Sequence, residues 1–357
     1  MDYLATLMVA EPSGFWATLI TFFEGIFNSY VLGIILLTII IKLVLSPLDF
    51  MNKKVARDNA RMQAVIQPKV AEIQKKYGHD RNLVNQKTAE LYKSQGFSMG
   101  GSCFVMLIYM AITMVVFFTL FSTLMGSSPY RVEQQYLELR QAYVQTVGTE
   151  EEKQAAVLEK YDARDSKFLW IQNVWFADNP WTPAVLNFDQ YLGNVGDKVV
   201  REMGGESTSL KELKKQDPAA YDAFIADFRA EYEETMTVVI EQRGGVNGYL
   251  ITAALAVGTA FLSQYLMQRR NVAKAQKENK ANGDKVNAGT NKAMLIILPL
   301  VMGLFTLFYN AVFGMYIIAG QLVAMLLFPI FDIFLDKLDA KKQKKEEDKI
   351  RVEYSRK

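Results

Sequence analysis

Four long apolar runs limit what this chain can fold into. Residues 30–48, 103–125, 249–267 and 293–335 are almost free of charge, and each reaches the ~18 residues a helix needs to span bilayer hydrocarbon. Inside lipid a segment must satisfy its own backbone groups, which runs of this kind do as helices. The fourth run is too long for one crossing. At ~1.5 Å per residue it would extend about 65 Å, so it is expected to fold back around residues 309–314. The count becomes five spans.

Basic residues collect near particular span ends, and their distribution predicts orientation. Residues 49–96 carry ten Lys/Arg against five acids, 269–292 seven against two, and the tail from 336 nine against six. These segments are expected to be cytoplasmic. The long stretch 127–245 holds thirteen basic and twenty-one acidic residues, which suits the outer side. The chain is therefore expected to run from an outside N-terminus to a cytoplasmic C-terminus. The net charge of +2 hides this asymmetry.

The expected layout follows from these boundaries. Residues 1–28 form an extracytoplasmic segment with an interfacial helix over 14–28; the stretch 1–12 lacks a basic leader region, and no signal peptide is assigned. Spans cover 29–50, 98–126, 247–268, 293–310 and 311–335. A cytoplasmic helical hairpin covers 51–97, with Gly78 as a stop and Asp80 as an N-cap. An extracytoplasmic insertion fills 127–246, with helices over 134–161 and 210–241. A cytoplasmic loop covers 269–292 and a basic tail 336–357.

One residue does not fit a simple span. Lys42, in TIIIKLVLSPLDF (38–50), lies eleven residues before Lys53, about 16 Å along a helix and so near the midplane. A charge at that depth costs several kcal/mol unless it meets water or a counter-ion. Among the assigned spans the carboxylate found is Asp332, at the cytoplasmic end, and Glu24 lies at the opposite interface. The expected surroundings are a hydrated cavity that receives an acidic group from elsewhere, with snorkelling as the plainer alternative.

Enzyme chemistry finds little support. The single Cys103 forms no internal disulfide, and the lone His79, in a polar loop, offers neither a metal cluster nor a hydrolytic triad with the outer segment. No Walker-type phosphate loop occurs, and no cofactor is implied.

The residues also carry a likeness. Thr38 and Lys42 followed by LSPLDF, the hairpin stretches RMQAVIQPKVAEIQKKYGHD and ELYKSQGFSMGGSC, FLWIQN with DNP over 168–180, LSQYLMQRR and ILPLVMGLF together resemble the YidC/Oxa/Alb membrane protein insertase family, from about residue 15 to 337. The resemblance implies a hydrophilic groove open to cytoplasm and lipid. A central cation there draws the polar tail of a new membrane protein partway across, and substrate helices slide into lipid. Implied partners are nascent membrane proteins and lipids, with the Sec translocon and ribosome as further candidates; DNA is not implied.

This chain departs from the family pattern in places. Lysine stands at 42 where the family usually has arginine, keeping the charge without the guanidinium fork. Val105, Tyr109 and Ala111 replace Pro, Gln and Pro; residues 310–312 replace Pro-Ala-Gly; Tyr316 is kept, but Ile317 follows it in place of Trp. These changes suggest a divergent paralogue.

The groove is assigned to Lys42, Thr38, Tyr109, Gln264, Tyr316 and Gln321. Thr38 shares a face with Lys42, or else bonds its own helix backbone. Gln264, Asn310 and Gln321 serve equally well as interhelical hydrogen-bond pairs. Met106, Met110 and Met114 read as bundle packing, with a flexible slide for varied substrates as the alternative. The whole predicts an all-α polytopic insertase and chaperone working without nucleotide hydrolysis; the alternative is a small transporter or channel for an anionic solute, for which inverted repeats are not seen.

Overall fold

The computed structural model describes residues 7–94, 99–196, 199–203, 206–281 and 292–354. It is mainly helical and divides into two compact units. The first comprises Met1–Thr38, Phe117–Val257 and Leu300–Ile318, the second Ile39–Val116, Gly258–Pro299 and Ala319–Lys357.

In the first unit, α1 (Phe15–Phe27) lies beside the start of α2 (Tyr30–Tyr77). Their approach requires Gly33, because a Cβ there would stand 2.8 Å from the Glu24 backbone nitrogen. The Trp16 indole donates to the Thr119 hydroxyl (2.9 Å), tying α1 to α4 (Met99–Gln145). α4 continues well past its apolar run and stops before Thr149. There the side chain of Thr149 and that of Glu152 close a capping box that starts α5 (Glu150–Asp162), the T-x-x-E signature of a helix start. The expected single helix over 134–161 is thus two.

The rest of the insertion packs on α8 (Pro218–Arg243). Phe224, Phe228, Tyr232, Met236 and Val239 recur at helical spacing and are buried. Tyr136, Phe188 and Tyr191 meet them, with ring centroids 4.8 Å apart for Tyr191–Tyr232 and 5.0 Å for Tyr136–Tyr232. α6 (Phe188–Val195) begins at another capping box, Asn187 with Gln190. α7 (Leu210–Gln216) and α8 are separated at Asp217, where Pro218 occupies a first-turn position that proline tolerates.

The all-α expectation is corrected at one place. β1 (Leu7–Val9), β2 (Val199–Met203) and β3 (Glu206–Ser209) form an antiparallel sheet in the order β1-β2-β3, with Val9 opposite Val199 and Val200 opposite Ser209. The Val9 N–H donates to Glu133 of α4 at 2.7 Å. Strands of three to five residues are too short to show periodicity, and β1 pairs with chain about 190 residues away.

In the second unit, α2 continues from Ile39 to Tyr77 without a break, carrying Pro47 and Pro68 inside it. The first span and the first hairpin helix are therefore one rod; the stretch 50–67 holds no glycine or proline to end the helix. The expected cap of α3 (Arg81–Ser94) is present: Asp80 accepts from the Asn82 and Leu83 N–H groups at 2.9 and 3.1 Å. α9 (Ile251–Ala281), α10 (Lys292–Phe308) and α11 (Ala311–Tyr354) complete the chain. The last apolar run is interrupted at residues 309–310, and Asn310 accepts from the Phe313 N–H to start α11. The side chain of Cys103 and part of the 269–292 stretch lie outside the described residues.

Among the described residues, three helical stretches are long and apolar enough to cross a membrane: Tyr30–Asn59, Phe104–Gln145 and Ala311–Lys342. Phe15–Phe27 and Ile296–Phe308 are shorter apolar helices.

Candidate functional site

α2 is built inside out relative to a helix of a water-soluble protein. Lys42, Ser46, Asp49, Lys53 and Arg57 follow one another at intervals of three or four, or twice that, and so occupy one face. That polar face points inward: Asp49 and Lys53 are buried, and Lys42, Ser46 and Arg57 are partly so, whereas Leu43, Val44 and Met51 are exposed. Apolar side chains outward and ionisable ones inward is the arrangement a lipid-embedded helix requires.

Most charges on this face have partners. Lys53 Nζ lies 3.0 Å from Asp332 of α11 and donates to the Phe328 carbonyl at 2.7 Å. Arg270 of α9 approaches the same carboxylate at 3.6 Å. Arg57 pairs with Asp336 at 2.6 Å and Asp339 at 3.0 Å. Asp49 accepts a 2.8 Å hydrogen bond from the Tyr109 hydroxyl on α4. Lys42 differs, for among the described residues no carboxylate lies within ion-pair distance and no acceptor bonds its ammonium.

The expectation that Asp332 is the carboxylate of the spans is corrected by Asp49, which falls within Tyr30–Asn59. The signal was available: Asp49 stands seven residues after Lys42, two helical turns along one face. The assigned span 29–50 contains it, but the apolar run ends at Leu48, one residue short of it. Glu24 is also occupied, held by both terminal nitrogens of Arg131 at 2.9 and 2.5 Å.

The remaining assigned residues divide. Thr38 is buried, and its hydroxyl donates to the Ile34 carbonyl at 2.7 Å, the intrahelical option. Tyr109 is partly buried and committed to Asp49. Tyr316, in the first unit, is partly buried against Phe117 and Phe313, ring centroids 6.4 and 6.1 Å away. Gln264 and Gln321, in the second unit, are partly buried. Asn310 donates to the Leu124 carbonyl at 3.3 Å, an interhelical bond. Met106, Met110 and Met114 stand half-exposed on one face of α4, which corrects the expectation that they pack inside the bundle.

The protein-family model described as 60Kd inner membrane protein, that of the YidC/Oxa/Alb group, matches residues 22–332. The chain belongs to this family. Curated proteins named membrane protein insertase YidC are similar over shorter stretches. The one from Haemophilus influenzae (strain PittEE) is 34% identical over 119 residues, 33% of this chain and 21% of that protein. The one from Maridesulfovibrio salexigens is 36% identical over 104 residues, 29% and 18% of the two chains, and that from Psychromonas ingrahamii 30% over 144, 40% and 24%. The chain thus spans about a fifth of the length of the relatives it matches.

In this YidC/Oxa/Alb chain the family-like segment 168–180 has an architectural part. Asp178 accepts from the Trp170 indole (2.8 Å) and from the Tyr249 and Thr252 N–H groups (2.7 Å each), the last at the start of α9. Asn247 accepts from the Asn173 N–H and donates to the Asn173 and Ala177 carbonyls. Burial pushes the Asp178 carboxyl upward, but the bonds from Thr252, Trp170 and Tyr249 outweigh it and hold the pKa below its ordinary value. Sequence reasoning quoted DNP without finding this role.

Proposed function

We propose that this chain is a membrane protein insertase and chaperone of the cytoplasmic membrane. The observation that carries the reading is Lys42, partly buried and without an ion partner among the described residues, on the inward polar face of a helix long enough to span a bilayer. A cation so placed attracts an acidic group brought by a substrate. In a medium of intermediate dielectric, opposite charges 4 Å apart attract by about 4 kcal/mol before desolvation is counted. The acidic tail of a nascent membrane protein would be drawn toward Lys42, and its apolar helix would leave into lipid. Partitioning, aided by the membrane potential, drives this without nucleotide.

In this reading the crossings number five. α9 adds one through 249–267, and α10, at 17 residues, extends about 25 Å, near the lower limit for a span. The N-terminus lies outside and the C-terminus inside, because basic residues gather on 49–96, 269–292 and the tail. Gln264 and Gln321, in the second unit, join Lys42 and Tyr109 in the groove. The net charges of the hairpin and tail, about +5 and +3, offer salt-sensitive contact with ribosomal RNA, and the Sec translocon is a candidate partner.

The test is insertion of substrates with acidic N-tails into proteoliposomes. Lys42→Arg should support it, Lys42→Ala should reduce it about tenfold, equivalent to ~1.4 kcal/mol, and Lys42→Glu should be worse. Equal insertion by Lys42→Ala and wild type would sink the reading. Lys42-dependent uptake of an anion without stimulated insertion would favour a transporter.

A further inference from the structure

In the first unit a polar recess of about 420 Å³ is lined by Glu24, Arg131, Glu138, Lys160, Arg164 and Asp165, with Asn28 and Trp175 at its side. That size lies in the range of about 300–1,000 Å³ usual for small-ligand sites. We propose that it receives the headgroup of an aminophospholipid. The phosphate would face Lys160, with Arg131 kept in its pair with Glu24, and the primary ammonium Glu138 and Asp165. The proposal rests on the reading above that places α1 in the outer membrane interface.

Three observations converge on this chemistry. First, the recess opens at the C-terminal end of α1, whose Phe15, Phe22, Ile26 and Phe27 are exposed. An apolar helix of this kind lies at the boundary between headgroups and acyl chains, so the recess sits at headgroup depth. Second, the lining has three cations and three carboxylates. A purely anionic headgroup gains little net attraction from balanced charges, whereas one carrying a phosphate and an ammonium finds a partner for each. The Lys160–Glu138 pair, 3.1 Å apart, has both side chains about half exposed; such pairs are worth little and exchange partners readily. Asp165 is exposed and, among the described residues, has no ion pair.

Third, the aromatic faces nearby are taken. The Arg131 guanidinium lies 5.1 Å from the Tyr30 ring centroid and 5.6 Å from that of Trp175. No open aromatic cage remains for a quaternary ammonium, which needs such faces. A primary ammonium instead donates hydrogen bonds to carboxylates, so phosphatidylethanolamine is favoured over phosphatidylcholine, and phosphatidylglycerol lacks the ammonium.

The experiment places a benzophenone amino acid at Asn28 or at Phe22 in the full chain. The carrier is proteoliposomes of equal parts phosphatidylethanolamine, phosphatidylcholine and phosphatidylglycerol, and cross-linked lipids are identified by mass spectrometry. At Asn28 phosphatidylethanolamine adducts should exceed each other lipid about fivefold, a modest affinity difference; at Phe22, facing the acyl region, adducts should follow bulk composition. Lys160→Gln with Asp165→Asn should reduce the Asn28 ratio to the Phe22 ratio, and dissolved phosphoethanolamine should compete at Asn28 alone. Equal ratios at both positions, or a phosphatidylglycerol preference at Asn28, would overturn the proposal. So would displacement by dissolved inorganic phosphate as effective as by phosphoethanolamine, which would reduce the recess to a simple anion site. Absence of lipid adducts at Phe22 would overturn it by a different route, because the interfacial placement of α1 would then fail.

Discussion

The loop 166–182 and the inward face of α2 treat polar groups differently. Around the loop, Asp178, Asn173, Asn179 and Asn247 are buried and bonded in several directions: Asn179 alone accepts from the Thr182 N–H at 2.7 Å and donates to the Leu307 carbonyl at 2.9 Å. Along α2, Asp49, Lys53 and Arg57 have partners, while Lys42, about two to four turns earlier, stands without one among the described residues. Satisfied buried polar groups fix a single arrangement of the backbone. A partly buried charge without a partner contributes nothing to that arrangement and is open to a group of opposite charge. The contrast predicts that damage to the paired groups is read in stability, and damage to Lys42 in insertion.

The largest effect should come from Lys53→Ala. It takes the Lys53 ammonium from the buried Asp332, which Arg270 approaches at 3.6 Å, and breaking such a pair from one side costs about 3–5 kcal/mol. Thermal unfolding of the full chain in detergent should show it. Stability within about 1 kcal/mol of wild type would mean that the pair is hydrated.

Gly248→Ala should come next. A Cβ there would meet an Asp178 carboxylate oxygen at 1.8 Å and the Asp178 Cα at 3.0 Å, so the loop must shift, at about 1–3 kcal/mol or somewhat more. Serine at 248 should be no better. Tolerance of alanine at full stability would show that the loop adapts, and the contrast with α2 would weaken.

Asp178→Asn should cost about 1–3 kcal/mol, because the amide presents one acceptor oxygen to three donors. The same carboxylate predicts a pH response. Its folded pKa is depressed, so its contribution is present above the unfolded value, about 3.9 for an aspartate, and is lost as pH falls through the lower folded value. Wild type should therefore lose more stability than Asp178→Asn between pH 5 and the acid limit. Parallel curves would assign the acid loss to other carboxylates.

How much of this was legible depends on the length of the pattern. Long apolar runs and the Asp80 cap could be read directly, since each is a local signal with a local cause. The extension of α2 to residue 77 does not show in composition, which turns from apolar to charged near residue 50, and Pro47 and Pro68 are carried inside the helix. The capping box at Thr149 is written in the sequence as T-x-x-E, a local signal of the same kind. The sheet could not be read, because β1 is three residues long and its partner is remote. At the candidate site, Lys42 was conspicuous as a charge in an apolar run. Asp49, on the same face and inside the assigned span 29–50, stands out through its burial and its bond from Tyr109.

The smallest effect should belong to Thr38→Val, and it sharpens the comparison on a single helix. Thr38 and Lys42 are one turn apart on α2, yet the Thr38 hydroxyl is already bonded to the Ile34 carbonyl and buried. Valine has nearly the same shape and removes only that bond. Because the Ile34 carbonyl retains its backbone partner one turn on, stability should change by less than about 1 kcal/mol. Insertion of acidic-tailed substrates should stay within about twofold of wild type, a difference of ~0.4 kcal/mol, whereas Lys42→Ala on the same helix should lose about tenfold. If Thr38→Val lost as much insertion as Lys42→Ala, the hydroxyl would have to leave Ile34 during transport and meet substrate or water. The inward face of α2 would then act as a longer polar track and not through Lys42 alone.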